Sequence, residues 1–135
     1  MKQRYGMVIG IGVVTMIFLY AFSQTGGGSM EYSVHDLKNK VESNDNMVVL
    51  DVRTPQEYTG ELGHIDDSIL IPVQELERRI EELDQYRDRE IVVICRTDNR
   101  SRAAASLLQE SGFDHVAFVR GGMVDWNKKF GYPQK

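Results

Sequence analysis

Cysteine is almost missing from this chain. Cys95 stands alone among 135 residues, which excludes an internal disulfide framework. Only three scattered histidines accompany it, so no structural zinc site is expected. Three prolines and twelve glycines are too few for a proline-rich disordered or collagen-like chain. An excess of positive charge is lacking too: sixteen basic side chains stand against twenty acidic ones, a net charge of −4. Phosphate backbones need clustered Lys and Arg, so nucleic acid is not an expected partner. There is no internal repeat. The length suits one domain with a core of its own and leaves no room for two.

Long apolar runs are also scarce, with one exception. Met7 to Phe22 form sixteen residues without a charge, preceded by Lys2 and Arg4. All twenty acidic residues lie at Glu31 or later, and without Lys2 and Arg4 the remainder carries −6. The run is long for a signal-peptide core and short for a membrane span. Tyr5 and Tyr20 sit near its ends as interfacial aromatics do, while Ala21-Phe22-Ser23 is an acceptable cleavage site before Gln24. A core helix would show a polar face, and this segment has none. Residues 1–23 are therefore expected to be an N-terminal hydrophobic helix, either a transmembrane anchor through residues 7–22 or a cleaved signal peptide. Both place the following domain on the extracytoplasmic side, anchored or exported. Residues 24–30 have the composition of a flexible linker. Their Gly-Gly-Gly-Ser-Met stretch also resembles an engineered junction with Met30 as a former start. The globular domain is then 31–135.

Within it, apolar runs alternate with helical patterns. Ser33 followed by Asp36 predicts a helix start, with Val34, Leu37 and Val41 at helical spacing. Met47 to Leu50 reads as a buried strand. Thr54-Pro55-Gln56-Glu57 reads as an N-cap, a proline at the first helical position and an acid in the first turn. Ile69 to Ile71 is a strand that Pro72 ends, and Leu76, Ile80 and Leu83 mark a helix running to about Asp84. Ile91 to Ile94 is apolar on both faces, as parallel strands are. A helix from Ser101 to Gln109 with Gly112 as its cap, a strand from Val116 to Val119 and a short helix around Trp126 complete the pattern. The alternation predicts an α/β fold: a parallel sheet covered by helices on both faces.

Cys95 closes the clearest strand, and the loop Arg96-Thr97-Asp98-Asn99-Arg100 leads from it into a helix. Sites in open α/β sheets form at the carboxyl ends of strands, where backbone N–H groups converge on an anion. A helix N-terminus with nearby arginines favours a thiolate over a thiol. The alternative is plain: a lone cysteine ending a strand is commonly an inert buried residue, with Arg96, Arg100 and Arg102 as solvated charges. From these residues alone both readings stand.

A resemblance tips the balance. Cys95-Arg96-Thr97-Asp98-Asn99-Arg100-Ser101 resembles the active-site loop of rhodanese-family sulfurtransferases. Asp51-Val52-Arg53-Thr54-Pro55-Gln56-Glu57-Tyr58 resembles the family's first signature, and Gly63-His64-Ile65 with Ile71-Pro72 its second. Gly121-Gly122-Met123 with Trp126 is similar to its closing motif. The four motifs stand in family order across residues 31–130.

The resemblance implies a rhodanese-like fold and a catalytic Cys95. That cysteine would take sulfane sulfur from a donor such as thiosulfate, hold it as a persulfide, and pass it to cyanide or a thiol. Arg96, Thr97, Asp98, Asn99 and Arg100 would bind the substrate anion. Asp51, Arg53 and Glu57 would brace the region through charge pairs, and His64 would be a hydrogen-bonded loop residue. No metal or cofactor is implied. Related phosphatases and arsenate reductases set five residues between cysteine and arginine, whereas four stand here, and the shorter loop suits a persulfide. Where the family often has glycine this chain has Asp98, which tolerates a positive φ but adds negative charge beside an anion site. A sulfur carrier or sensor without efficient turnover is the alternative.

Overall fold

A computed structural model describes residues 28–43 and 45–131. The expected hydrophobic helix within 1–23 lies outside the described residues. Among those described, no helix is long and apolar enough to cross a membrane.

The strands are β1 (Met30–Tyr32), β2 (Met47–Asp51), β3 (Ile69–Leu70), β4 (Glu90–Ile94) and β5 (Val116–Val119). All pairings are parallel, and the order is β1-β5-β4-β2-β3. Four of these strands coincide with the apolar runs. The fifth, β1, has no apolar pattern; it is an edge strand held by pairing Met30 with Ala117 and Tyr32 with Val119. It begins inside the stretch that reads as linker.

Helices α1 (Val34–Glu42), α2 (Pro55–Tyr58), α3 (Val73–Arg79), α4 (Asn99–Glu110) and α5 (Gly122–Phe130) lie between and after the strands. Both anticipated helix starts are capping boxes, Ser33 with Asp36 and Thr54 with Glu57. The helix expected to reach Asp84 instead tightens into a 3₁₀ segment, Ile80–Tyr86. Leu76 and Leu83 are both fully buried, and over two turns their spacing does not separate a period of 3.0 from 3.6. Gly112 takes φ +87° after α4, as its expected capping role requires.

The two-residue period of β4 divides the core. Ile91, Val93 and Cys95 join Leu76, Leu83, Ala104 and Leu108 under α3 and α4. Val92 and Ile94 join Val34, Leu37, Met123 and Trp126 under α1 and α5. Helices therefore cover both faces, as the alternation predicts.

Candidate active site

Cys95 follows the central strand directly, so the strand period fixes it on the α4 face. It is 1% exposed. Its Sγ lies 3.5 Å from Oγ of Ser101, itself fully buried in the first turn of α4. The Ser101 hydroxyl in turn donates to the Asp98 carbonyl at 3.0 Å.

The backbone after Cys95 is shaped by Gly122. That glycine has φ +53°, and a Cβ on it would lie 2.3 Å from the Thr97 carbonyl oxygen, 2.4 Å from that of Cys95 and 2.7 Å from that of Arg96. Three successive carbonyls thus converge on the start of α5. Two are accepted into its first turn, where Met123 N–H donates to Cys95 at 2.9 Å and Val124 N–H to Arg96 at 3.0 Å. In a trans peptide the N–H points opposite to the C=O. The N–H groups of Arg96, Thr97 and Asp98 therefore face away from α5 and find no acceptor among the described residues. The first-turn N–H groups of α4 are orphaned by helix geometry and add to them. The result is a concentration of uncommitted donors at the positive end of a twelve-residue helix, a setting that holds an anion.

Charge pairs fix this loop from one side. Arg53 and Asp51 are completely buried, with Nε and Nη2 of the arginine on the carboxylate at 2.7–3.1 Å. The remaining Arg53 donors reach the carbonyls of Glu57 at 3.1 Å and Gly63 at 2.7 Å. Arg100 grips Glu57 with both terminal nitrogens, each at 2.7 Å. That bidentate bond, with the Thr54 N–H contact, holds the Glu57 carboxyl at about 2, far below its usual value. What Arg100 offers an anion is consequently its backbone N–H. His64 stacks on Tyr58 at 3.8 Å and donates from Nδ1 to the Tyr58 carbonyl, the structural role expected of it.

Asp98 departs from expectation. Its φ is −145°, so tolerance of a left-handed backbone plays no part. Its carboxylate meets Arg102 at 3.5 Å, on a guanidinium that lies over Phe118 and also faces Glu31. Asp98 therefore leans toward the β1–β5 flank, while Arg100 leans toward α2. The side chains of Arg96, Thr97 and Asn99 are exposed. Helix α4 begins at Asn99, two residues before the sequence-based start, which puts Arg100 on the helix.

The motif order and this geometry agree with the comparison against known families, in which the rhodanese-like domain pattern matches residues 33–129. The chain belongs to the rhodanese-like family. It is 37% identical over 107 residues to the provisionally named sulfur carrier protein YrkF of Bacillus subtilis, covering 79% of this chain and 56% of that protein. The chain thus spans about half of that relative. It is 29% identical over 96 residues to a sulfurtransferase of Allochromatium vinosum, covering 71% of this chain and 86% of that one. Among solved structures, a rhodanese-related protein from Thermoplasma volcanium superposes with a TM-score of 0.66 at 36% identity, covering 77% of this chain and 95% of that chain. The names of the Bacillus subtilis and Allochromatium vinosum relatives refer to sulfur carriage and sulfur transfer.

Two residues of this rhodanese-like site escaped the sequence reading as functional positions. Ser101 was legible as a helix start and as the end of the loop motif, without a role of its own, and Gly122 only as part of a motif. A glycine pair directly before a helix was the available signal for the second.

Proposed function

We propose that the chain is a sulfurtransferase that moves sulfane sulfur through a persulfide on Cys95. The Cys95 thiolate attacks the outer sulfur of thiosulfate. The S–S bond breaks with its electron pair leaving on sulfite, and a Cys95 persulfide remains. Cyanide or a thiolate then attacks the outer sulfur and the Cys95 thiolate departs. Backbone N–H groups of residues 96–101 hold the donor anion and the persulfide, and the Glu57–Arg100 and Asp51–Arg53 pairs keep those groups in place. The Ser101 hydroxyl has one proton: it serves the Asp98 carbonyl at rest and turns to Sγ when that sulfur bears charge.

The observation that carries this reading is the buried Cys95 sulfur at the foot of a loop whose first three carbonyls, those of Cys95, Arg96 and Thr97, are turned toward Gly122. Thiocyanate release from thiosulfate and cyanide tests it. Cys95→Ser is expected to abolish release with the fold intact, because the swap is nearly isosteric; turnover near wild type overturns the assignment.

A carrier role is the second reading, favoured by the name of the Bacillus subtilis relative and by the 1% exposure of Cys95. It differs in predicting persulfide formation without multiple turnovers. The charge asymmetry of residues 1–30 further supports placement outside the cytoplasmic membrane, through a retained or cleaved segment at 7–22. A reporter fused after Lys135 that works only when exported would be active; a cytoplasm-only reporter would be silent.

A further inference from the structure

The strand pairing leaves a notch at the end of the sheet opposite Cys95. All of β2, from Met47 to Asp51, is accompanied by β4, whereas β3 reaches only Leu50 and Asp51. A turn is the cause: Ser68 N–H donates to the Ile65 carbonyl at 3.1 Å, and Asp67 inside that turn takes φ +59°. The chain therefore meets β2 late. The gap is a cavity of about 320 Å³ floored by Met47, Val48 and Val49. That volume lies at the lower end of the roughly 300–1,000 Å³ of small-molecule sites. Arg89 on its wall precedes β4 and Cys95 follows it, so the strand rise separates the two by about 20 Å.

Donors at this notch lack acceptors. Ile71 N–H bonds the Asp51 carbonyl and Val52 N–H the Ile94 carbonyl, so successive residues of β2 face β3 and β4 in turn. Val49, two residues before Asp51, turns its N–H toward the missing part of β3, where no acceptor stands among the described residues. Arg89 donates from Nη2 to the Met47 carbonyl. Its Nε is the one buried side-chain nitrogen or oxygen without a partner among the described residues, and Nη1 is unbonded there too. Lys40 is engaged by Glu90 at 2.7 Å and Asp45 at 3.8 Å. Ahead of β3, the carboxylates of Asp66 and Asp67 are exposed and unpaired among the described residues. Val41, Met47 and Ile69 supply apolar walls.

We infer that this notch binds a free α-amino acid with an apolar side chain. The carboxylate takes the Val49 N–H and Arg89 Nη1, the ammonium meets Asp66 and Asp67, and the side chain rests on Val41, Met47 and Ile69. Neither charge suffices alone. A plain carboxylate faces two unpaired acids, and a plain amine leaves the arginine and the strand edge unsatisfied. A peptide carries the two charges on different residues and does not match. The site uses no group of the sulfur chemistry and stands apart from the function proposed above.

The test titrates leucine into the full chain while backbone amide resonances are followed. Saturable shifts are expected at Val49 and Asp67, with a Kd of about 1 mM or tighter, and none at residues 96–101. Leucinamide lacks the carboxylate and 4-methylvalerate the ammonium. Each is expected to bind about three- to fivefold more weakly, as loss of one exposed ion pair dictates. Glycine, without the apolar body, should bind at least about tenfold more weakly. Asp66→Asn combined with Asp67→Asn keeps the tolerance of positive φ and should bring leucine down to the affinity of 4-methylvalerate. Absence of saturable shifts with leucine overturns the inference, and so do shifts centred on the cysteine loop. Leucinamide or 4-methylvalerate binding within about twofold of leucine overturns it as well, as does an unchanged preference in the paired variant.

Discussion

Ser101 is the residue whose removal isolates chemistry from scaffold. Its Oγ is 3.5 Å from Sγ and already donates to the Asp98 carbonyl, so in the proposed reaction its contribution would be a proton that can change direction. A hydrogen bond to a charged partner is worth about 1.5–3 kcal/mol, which amounts to roughly ten- to a hundredfold in rate. Ser101→Ala is expected to slow both persulfide formation and discharge by about that factor in rapid-quench assays, with Ser101→Thr recovering most of the loss. Equal rates in Ser101→Ala and wild type would reduce the serine to packing. Asp98 teaches a complementary lesson. Its charge was legible beside the cysteine, but its direction was not, because the side chain answers to Arg102, one turn along α4, and through it to Glu31, far away in sequence.

Between elements, one ion pair and one glycine do most to hold the loop. Glu57 on α2 and Arg100 on α4 are 43 positions apart, and each is less than a third exposed. With the Glu57 carboxyl held at about 2 against an ordinary 4.5, the pair stabilises the fold at neutral pH. The stabilisation is fully present above the unfolded value near 4.5 and is lost as pH falls through about 2. Discounted for partial exposure, it amounts to about 1–2 kcal/mol. Urea unfolding of wild type and Glu57→Gln should differ by that amount at pH 7, and the difference should shrink between about pH 4.5 and 2. A difference independent of pH would show that the carboxylate's charge is irrelevant. Gly122→Ala forces a positive φ on alanine and drives its Cβ into three carbonyls, costing about 2–4 kcal/mol and displacing the cysteine loop. Unfolding should reveal that loss, together with diminished persulfide formation. The capping boxes at Ser33 and Thr54 were readable because their hydrogen bonds span three residues. The 3₁₀ segment at Ile80–Tyr86 and the edge strand at Met30–Tyr32 were not, since the first hides within helical spacing and the second depends on β5.

On the scale of the whole molecule, the sheet order β1-β5-β4-β2-β3 sets the carboxyl ends of β2 and β4 side by side. There Asp51 pairs in register with Ile94, one residue before the cysteine. Sequence alone placed Cys95 at a strand end, but the convergence of residues 51–63, 95–101 and 121–124 around it is a product of topology. The family resemblance supplied that convergence in advance; spacing and composition could not. The chain has no second cysteine, so a persulfide on Cys95 cannot be resolved internally and must persist until an acceptor arrives. Intact mass spectrometry can therefore catch it. After incubation with thiosulfate and removal of excess, the protein should gain the mass of one sulfur atom. Cyanide should remove that increment, and Cys95→Ser should never acquire it. An unmodified wild-type mass after thiosulfate and after polysulfide, or an increment retained in Cys95→Ser, would contradict sulfur transfer through Cys95.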